Sequence, residues 1–176
     1  EACRRRSTAD ADEFAQWRVH AANWRGELQA PLDHKPWTSK HEGSRRQLSK
    51  RALDLVDCAA MQSWKRARLS AAASSTARAD VLHNCIVDVS QSHSRHPFSS
   101  EDGVAHCLTT SSRLFSFRRE RLLQGIEHMF LQGYPVNTKL PENMSEHAAK
   151  HLAGEAVALP CLAVLVWSIF QAKGFP

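Results

Sequence analysis

Glu127-His128-Met129-Phe130-Leu131-Gln132-Gly133-Tyr134-Pro135 and, further along, Leu152-Ala153-Gly154-Glu155-Ala156-Val157-Ala158-Leu159-Pro160 are the stretches whose reading decides the fold. Ahead of and within the first, Leu122, Leu123, Ile126, Met129 and Phe130 recur at helical spacing. They predict a helix that packs one apolar face and leaves Arg118, Arg119, Glu120 and Arg121 wet. Gly133 then stops the helix, because glycine takes a left-handed cap at low cost, and Pro135 cannot continue it, so Gln132 to Pro135 read as a rigid exit turn. The plain alternative is a simple terminator, since Gly followed by Pro ends many helices. For the second stretch, Ser145 is expected to cap a helix carrying Met144, Ala148 and Leu152, with Gly154 breaking it. Ala156 to Phe170 then begins another helix, with Pro160 acceptable in its first turn. A helix, a glycine and a new helix present backbone N–H groups that suit the carboxylate end of a small ligand. Pro160 to Phe170 is the most hydrophobic part of the chain, with Leu162, Val164, Leu165, Val166, Trp167, Ile169 and Phe170 all round the helix. That run is shorter than the ~20 residues that span a bilayer, starts with Pro and includes Ser168, so a buried core helix is expected.

In order and spacing the two stretches resemble the closing motifs of cytosine-5 DNA methyltransferases. In that family a helix carrying a Glu runs into Leu-Gln-Gly-Phe-Pro, and a Gly-Asn-Ala-Val turn opens the last helix. The resemblance covers roughly residues 85 to 172 and is in register from about 107 onward. It implies that Glu127 with Gln132, Gly133, Tyr134 and Pro135 fixes the hinge between lobes. It also implies that Gly154, Glu155, Ala156 and Val157 help hold S-adenosylmethionine. Cys107-Leu108-Thr109-Thr110-Ser111-Ser112 resembles the Pro-Thr-Leu-Thr type segment leading out of the family's target-recognition region, which makes Thr109, Thr110, Ser111 and Arg113 candidates for contacts to DNA phosphates. Gln91-Ser92-His93-Ser94-Arg95 echoes a Gln-x-Arg-x-Arg motif with His93 in place of the first Arg, and so adds Arg95. One position departs: Glu155 stands where the family has Asn, so a side chain able to donate a hydrogen bond is replaced by one that only accepts while ionised. Glu155 either holds the ammonium group of the cofactor's methionine moiety or marks a degenerate site.

The family's Gly-rich cofactor loop, its Pro-Cys-Gln nucleophile loop and its Glu-Asn-Val segment are not found. Pro160-Cys161 and Pro141-Glu142-Asn143-Met144 are lookalikes in the wrong order and place, so no catalytic residue is assigned. These absences, and a first residue that is Glu rather than Met, lead to the expectation of a C-terminal piece of a longer polypeptide, whose upstream catalytic portion is then its first partner. No apolar segment follows Arg4-Arg5-Arg6, so no secretory signal is read.

Charge is unevenly placed. Residues 1 to 70 hold 14 Lys and Arg against 9 acidic residues, and the remainder is balanced, so the whole net charge of +5 lies in the first part. Arg4-Arg5-Arg6, Arg45-Arg46, Lys50-Arg51 and Lys65-Arg66 with Arg68 are either phosphate contacts giving salt-sensitive binding to DNA or RNA, or a solvated helix face. Phe14, Trp17, Ala21, Trp24 and Leu28 share one stripe of a helix expected over Asp10 to about Gln29, capped by Ser7 or Thr8 and closed before Pro31. The Trp residues share the spacing of the other apolar positions, which reads them as core rather than as stacking platforms for bases. Residues 30 to 44 read as a loop. Ser44 to about Arg68 is expected to be a helix burying Leu48, Ala52, Leu55, Val56 and Ala59, with Ala71 to Thr76 a linker or frayed end. From Val81 the alternation of Cys85, Val87 and Val89 against Ile86, Asp88 and Ser90 predicts a strand, followed by strands over Ala105 to Thr110 and Leu114 to Phe117.

Ten His and five Cys raise the question of zinc. His83, Cys85, His93, His96, His106 and Cys107 fall in one short stretch, but their spacings complete no paired-ligand motif, so no metal is assigned. Scattered cysteines, odd in number, favour reduced thiols and an intracellular protein, and the resemblance adds the nucleus. Neither a Ser-His-acid arrangement nor a phosphate-cradling Gly-rich loop is readable, which leaves hydrolase and nucleotide-binding functions without support.

The expected fold is therefore an α-rich α+β fragment. Residues 1–80 form a basic helical region, a displaced or reduced target-recognition part. Residues 81–176 form a methyltransferase-like segment whose small sheet and C-terminal helices complete an α/β fold. The function implied is part of a methyl transfer from S-adenosylmethionine to cytosine in DNA, inactive as this isolated chain. The alternative is a noncatalytic basic module, binding DNA or protein, with a degenerate methyltransferase tail.

Overall fold

The computed structural model describes residues 16–41, 43, 46, 48–70, 72–96 and 107–172. Helices predominate and are joined by one small antiparallel sheet, a mixed α+β architecture. The chain forms two compact units, one of residues 1–106 with 113–122 and the other of residues 107–112 with 123–176.

In the first unit, α1 is helical over the described residues 16–28. The expected cap at Ser7 or Thr8, and Phe14, lie outside the described residues. Its end is a left-handed turn at Gln29, with Gln29 N–H donating to Gly26 O and Ala30 N–H to Arg25 O, ahead of Pro31. Helix α2 (Lys50–Arg66) begins after a break at residues 48–49, where the Ser49 side chain accepts from Ala52 N–H and caps it; near the expected start at Ser44, residues 43 and 46 are helical and 44, 45 and 47 lie outside the described residues. Leu48, Ala52, Leu55, Val56 and Ala59 are all buried, as their spacing requires. Trp24 and Trp37 are core side chains, and Trp37 meets Phe117 edge-on with ring centroids 5.1 Å apart.

Helix α3 (Ser75–Leu82) occupies ground expected to be linker and strand, since Ser74 caps it through Ala77 N–H and it carries Val81 and Leu82. The strand expected from Val81 is correspondingly shorter: β1 is Ile86–Asp88. Cys85, Val87 and Val89 are buried together as the alternation demands. Asp88 is buried too, because one carboxylate oxygen accepts from Ser90 N–H, Ser90 Oγ and Arg113 N–H. A short 3-10 turn, His93–Arg95, follows. Strand β2 (Leu114–Ser116) pairs with β1, placing Val87 opposite Phe115, and β3 (Arg121–Leu122) pairs with the other edge of β2. A strand over Ala105 to Thr110 does not form among the described residues, where 107–112 are irregular. Leu122 was expected in a helix and lies in β3, because the chain first turns at Glu120 in a left-handed conformation and the helix is capped only at Gln124.

Two carboxylates of α2, Asp57 buried and Asp54 partly buried, tie the loops to this unit. Asp57 accepts from Trp37 N–H, Thr38 N–H and Thr38 Oγ1, at 2.9, 2.9 and 2.6 Å. Burial pushes the Asp57 carboxyl above the ordinary carboxylate range, against the three hydrogen bonds that favour its charge. Asp54 accepts from Arg25 Nε and Nη2 through one oxygen, and the fully buried Arg25 also donates Nη1 to Pro31 O and His34 O. Burial raises the Asp54 carboxyl, but hydrogen bonds from His93 and Arg25 and their charges outweigh it and hold the group below its ordinary value. Asp54→Ala leaves a guanidinium that is 1% exposed without its anion. A loss of about 3–5 kcal/mol is expected in urea denaturation of the first unit, and a loss under about 1 kcal/mol would show that Arg25 is satisfied by its two carbonyls alone.

Candidate functional site

The second unit assembles the stretches that carry the resemblance. Helix α4 (Gly125–Leu131) opens with a capping box, in which Glu127 Oε2 accepts from Gln124 N–H at 2.7 Å while the Gln124 side chain accepts from the backbone of Glu127. Glu127 therefore has a local structural role at the start of the helix. Gly133 follows the last turn at φ +87°, the left-handed conformation expected of it. A side chain there would be strained, and its Cβ would lie 2.6 Å from Pro160 Cδ.

Helix α5 (Glu146–Glu155) is capped by Ser145, whose side chain accepts from Ala148 N–H. Its buried residues are Ala149 and Ala153, one position on from the expected Ala148 and Leu152, which are exposed. Small residues line this face because α4 crosses it at Gly125, where a Cβ would lie 2.5 Å from Ala149 Cβ. The expected break at Gly154 does not occur. The helix runs through Gly154 to Glu155, and the chain leaves it at Ala156 in an extended conformation. Gly154 has a different purpose: a Cβ on it would collide with the backbone of Thr109 and Thr110, so the absence of a side chain lets helix and loop touch.

Gln132 connects the two motif turns. Its buried side-chain amide donates to Ala153 O at 2.7 Å and to Ala156 O at 3.3 Å, while its own backbone carbonyl accepts from Leu159 N–H at 2.8 Å. One residue thus receives two carbonyls at the end of α5 and fixes the first residue of α6 (Leu159–Gln171). Ala156 N–H is engaged with Leu152 O. The turn accordingly holds two of its N–H groups in internal bonds. Glu155 and Val157 face solvent, and the Glu155 carboxylate lies 3.6 Å from His151 Nδ1. A carboxylate, which only accepts while ionised, suits a cationic group better than the anionic end of a ligand.

Helix α6 departs most from expectation. Its Pro lies in the first turn as predicted, yet none of its residues is buried among the described residues, with Trp167 at 65% and Leu165 at 59% exposure. The expected core burial is absent because no described element covers it. The stretch Glu146–Gln171 is long and apolar enough by composition to cross a membrane. It is nevertheless two helices interrupted at residues 156–158, and the 13 residues of α6 extend only about 20 Å, short of a hydrocarbon core of about 30 Å.

The residues singled out for DNA divide between the units. Thr109, Thr110 and Ser111 belong to the second, in a turn where Ser112 Oγ accepts from Thr109 N–H and Thr109 Oγ1 lies 3.3 Å from Ser111 Oγ. Thr109 and Ser111 are exposed there. Arg113 and Arg95 belong to the first unit and are exposed, and Arg95 donates to Gln91 Oε1 at 3.2 Å. Two of the basic groups of the first part serve the fold: Arg51 donates to Val89 O and Gln91 O, and Lys65 to Glu27 O. Arg4-Arg5-Arg6 lie outside the described residues.

The histidines and cysteines of the stretch from His83 to Cys107 do not converge either. Cys85 is buried beside Val81 O and Ser63, His83 and Cys107 are exposed, and His96 stacks on Trp24 at 4.5 Å; His106 lies outside the described residues. His93 instead turns inward to Asp54 and Cys58, a meeting that spacing within one stretch could not reveal. The signal for it was the helical i, i+4 separation of Asp54 and Cys58.

Comparison with family models, with curated proteins and with solved structures finds no match to this chain.

The Gly154 contact yields a paired test. Gly154→Ala sets a methyl group against the backbone of Thr109 and Thr110 and is expected to cost about 1–3 kcal/mol in denaturant. Gly26→Ala, in a helix with open space at the Cβ position, is expected to add about 0.5–1 kcal/mol. Equal effects at the two sites would dismiss the close approach.

Proposed function

We propose that this chain is the C-terminal part of a cytosine-5 DNA methyltransferase, which transfers a methyl group from S-adenosylmethionine to carbon 5 of a cytosine in DNA. The observation that carries the reading is that the three segments quoted for the resemblance pack into one unit. Gln132 and Gly133 seat against Ala153, Ala156, Leu159 and Pro160, and Gly154 seats against Thr109 and Thr110. Accidental matches scattered along a chain have no reason to require one another in this way.

In this reading the second unit supplies scaffold and cofactor edge, and the nucleophile comes from upstream sequence. S-adenosylmethionine supplies the electrophilic methyl group when bound. The Glu155 carboxylate would accept from the ammonium of its methionine moiety, and Gly154, Ala156 and Val157 are the other residues that would help hold it. The target cytosine reaches such a site flipped out of the duplex. Thr109, Thr110, Ser111, Arg113 and Arg95 contact phosphates, which positions the duplex without specifying sequence. Uncovered α6 supports the same reading, since in the resembled fold the last helix lies against the cofactor-binding sheet. A nuclear or otherwise intracellular location follows from the same resemblance.

The test is transfer of a labelled methyl group to duplex DNA. The isolated chain is expected to show none, and the whole reading frame containing it is expected to show transfer that Gly154→Ala reduces. Transfer by the isolated chain would overturn the assignment of the nucleophile to upstream sequence. Absence of transfer from both would favour the noncatalytic module, for which salt-dependent DNA binding is the measurement.

A further inference from the structure

The first unit contains a cluster that the methyltransferase reading does not use and on which it does not depend. Asp54 and Cys58 stand one turn apart on the same face of α2, and His93 reaches them from the 3-10 turn after β1. Asp54 divides its carboxylate. One oxygen accepts both Arg25 bonds, while the other lies 3.0 Å from His93 Nε2 and 3.7 Å from Cys58 Sγ. The carboxylate oxygen, imidazole nitrogen and thiol sulfur all lie within 4.8 Å of one another.

We propose that Asp54 Oδ2, Cys58 Sγ and His93 Nε2 form a binding site for a zinc-type divalent cation that clips the 3-10 turn to α2. The geometry is close to what such an ion needs. Oxygen, nitrogen and sulfur held at about 2.0–2.3 Å from a tetrahedral zinc lie about 3.3–3.6 Å from one another. The separations of 3.0 and 3.7 Å from Asp54 Oδ2 differ from that range by a few tenths of an ångström, and His93 Nε2 and Cys58 Sγ lie within 4.8 Å of each other, differences that side-chain torsions can close. The chemistry of the donors is equally suited, because thiolate, imidazole and carboxylate together select zinc and its neighbours over calcium or magnesium.

His93 is completely buried, and its Nδ1 has no hydrogen-bond partner among the described residues. Its Nε2 is therefore the ring nitrogen with polar neighbours, and it is turned toward Asp54 and Cys58. Coordination replaces one long S–H contact and one N–H bond by three metal bonds. The ion displaces the Cys58 thiol proton to solvent, and the neutral imidazole keeps its single proton on Nδ1. Arg25 stays on Oδ1 and orients the carboxylate, as an outer partner of a metal ligand does. The Asp54 side chain retains 16% exposure, which leaves a route for water as the fourth ligand. The charges of the ion, thiolate, carboxylate and guanidinium leave a net of one positive charge, far below that of the bare ion.

The test is titration of the full chain with Co2+ in a non-chelating buffer, followed by absorption. Expected are a near-ultraviolet thiolate-to-cobalt band and intense visible bands of tetrahedral Co2+, saturating at a single equivalent and abolished by Zn2+. Cys58→Ser removes the near-ultraviolet band, and His93→Gln weakens binding at least about tenfold. A variant with Cys3→Ser, Cys107→Ser and Cys161→Ser keeps the spectrum, which excludes a site built from those thiols. That triple variant also serves if Cys58→Ser fails to fold, because Zn2+ must then raise its Tm through linkage to folding. No thiolate band in the wild-type chain, or its loss in the triple variant, would overturn the site and leave a buried hydrogen-bond network.

Discussion

The carboxylate of Asp54 is the point on which the first unit depends. A carboxylate removed from water is costly unless its lone pairs are taken up, and here they are taken up from three elements at once. Arg25 comes from α1, His93 from the turn after β1 and Cys58 from the same helix, while Arg25 carries the constraint onward to the carbonyls of Pro31 and His34. Asp57, one turn along, does the same for the loop at Trp37 and Thr38. The apolar residues of α2 supply most of the driving force for packing, but they are interchangeable in a way that these polar contacts are not. Burial of Leu55 and Val56 draws the helix into the core; the carboxylates decide which loops close over it.

The second unit uses a different device, the close approach of backbone to backbone. Gly125 and Gly154 remove side chains where α5 meets α4 and the Thr109–Thr110 loop, and Gly133 turns left-handed against Pro160. With few large side chains to bury, the unit relies on Gln132 to satisfy the carbonyls that end α5. Such carbonyls lack intrahelical partners, so a buried amide that reaches two of them replaces water where water is excluded. The glycines and the glutamine are thus parts of a single joint.

How much of this was legible in the sequence depended on whether the cause was local. Ser145 capped its helix and Gly133 ended one because capping and left-handed turns need only neighbouring residues. Leu55, Val56 and Ala59 were legible from spacing. The start of α2 was misplaced because Ser44 and Ser49 are equally good caps on paper. Gly154 was read as a breaker since a glycine late in a helix has two causes, conformational freedom and close approach, and only the loop at Thr109 distinguishes them. Leu122 passed from helix to strand because pairing with Phe115 is a contact between segments. His93, Asp54 and Cys58 were not found together, since nothing in the chain between residues 58 and 93 announces that its ends meet.

Helix α6 makes the last step of the argument. Seven large apolar side chains from Leu162 to Phe170 stand open on it, and burying each contributes about 1.5–3 kcal/mol. Rigid attachment at Leu159 and Pro160 holds them in a defined direction, so a surface that covered them would meet a preorganised helix rather than order a flexible one. Propensity alone does not account for such a helix, since Val164, Val166 and Ile169 are β-branched and only moderate helix formers. Their presence all round the helix, with the only polar interruption, Ser168, returned to the backbone at Val164 O, describes a sequence adapted to an apolar environment on every side. A sheet against one face would supply part of it, which is the setting that the proposed methyltransferase reading implies for its last helix.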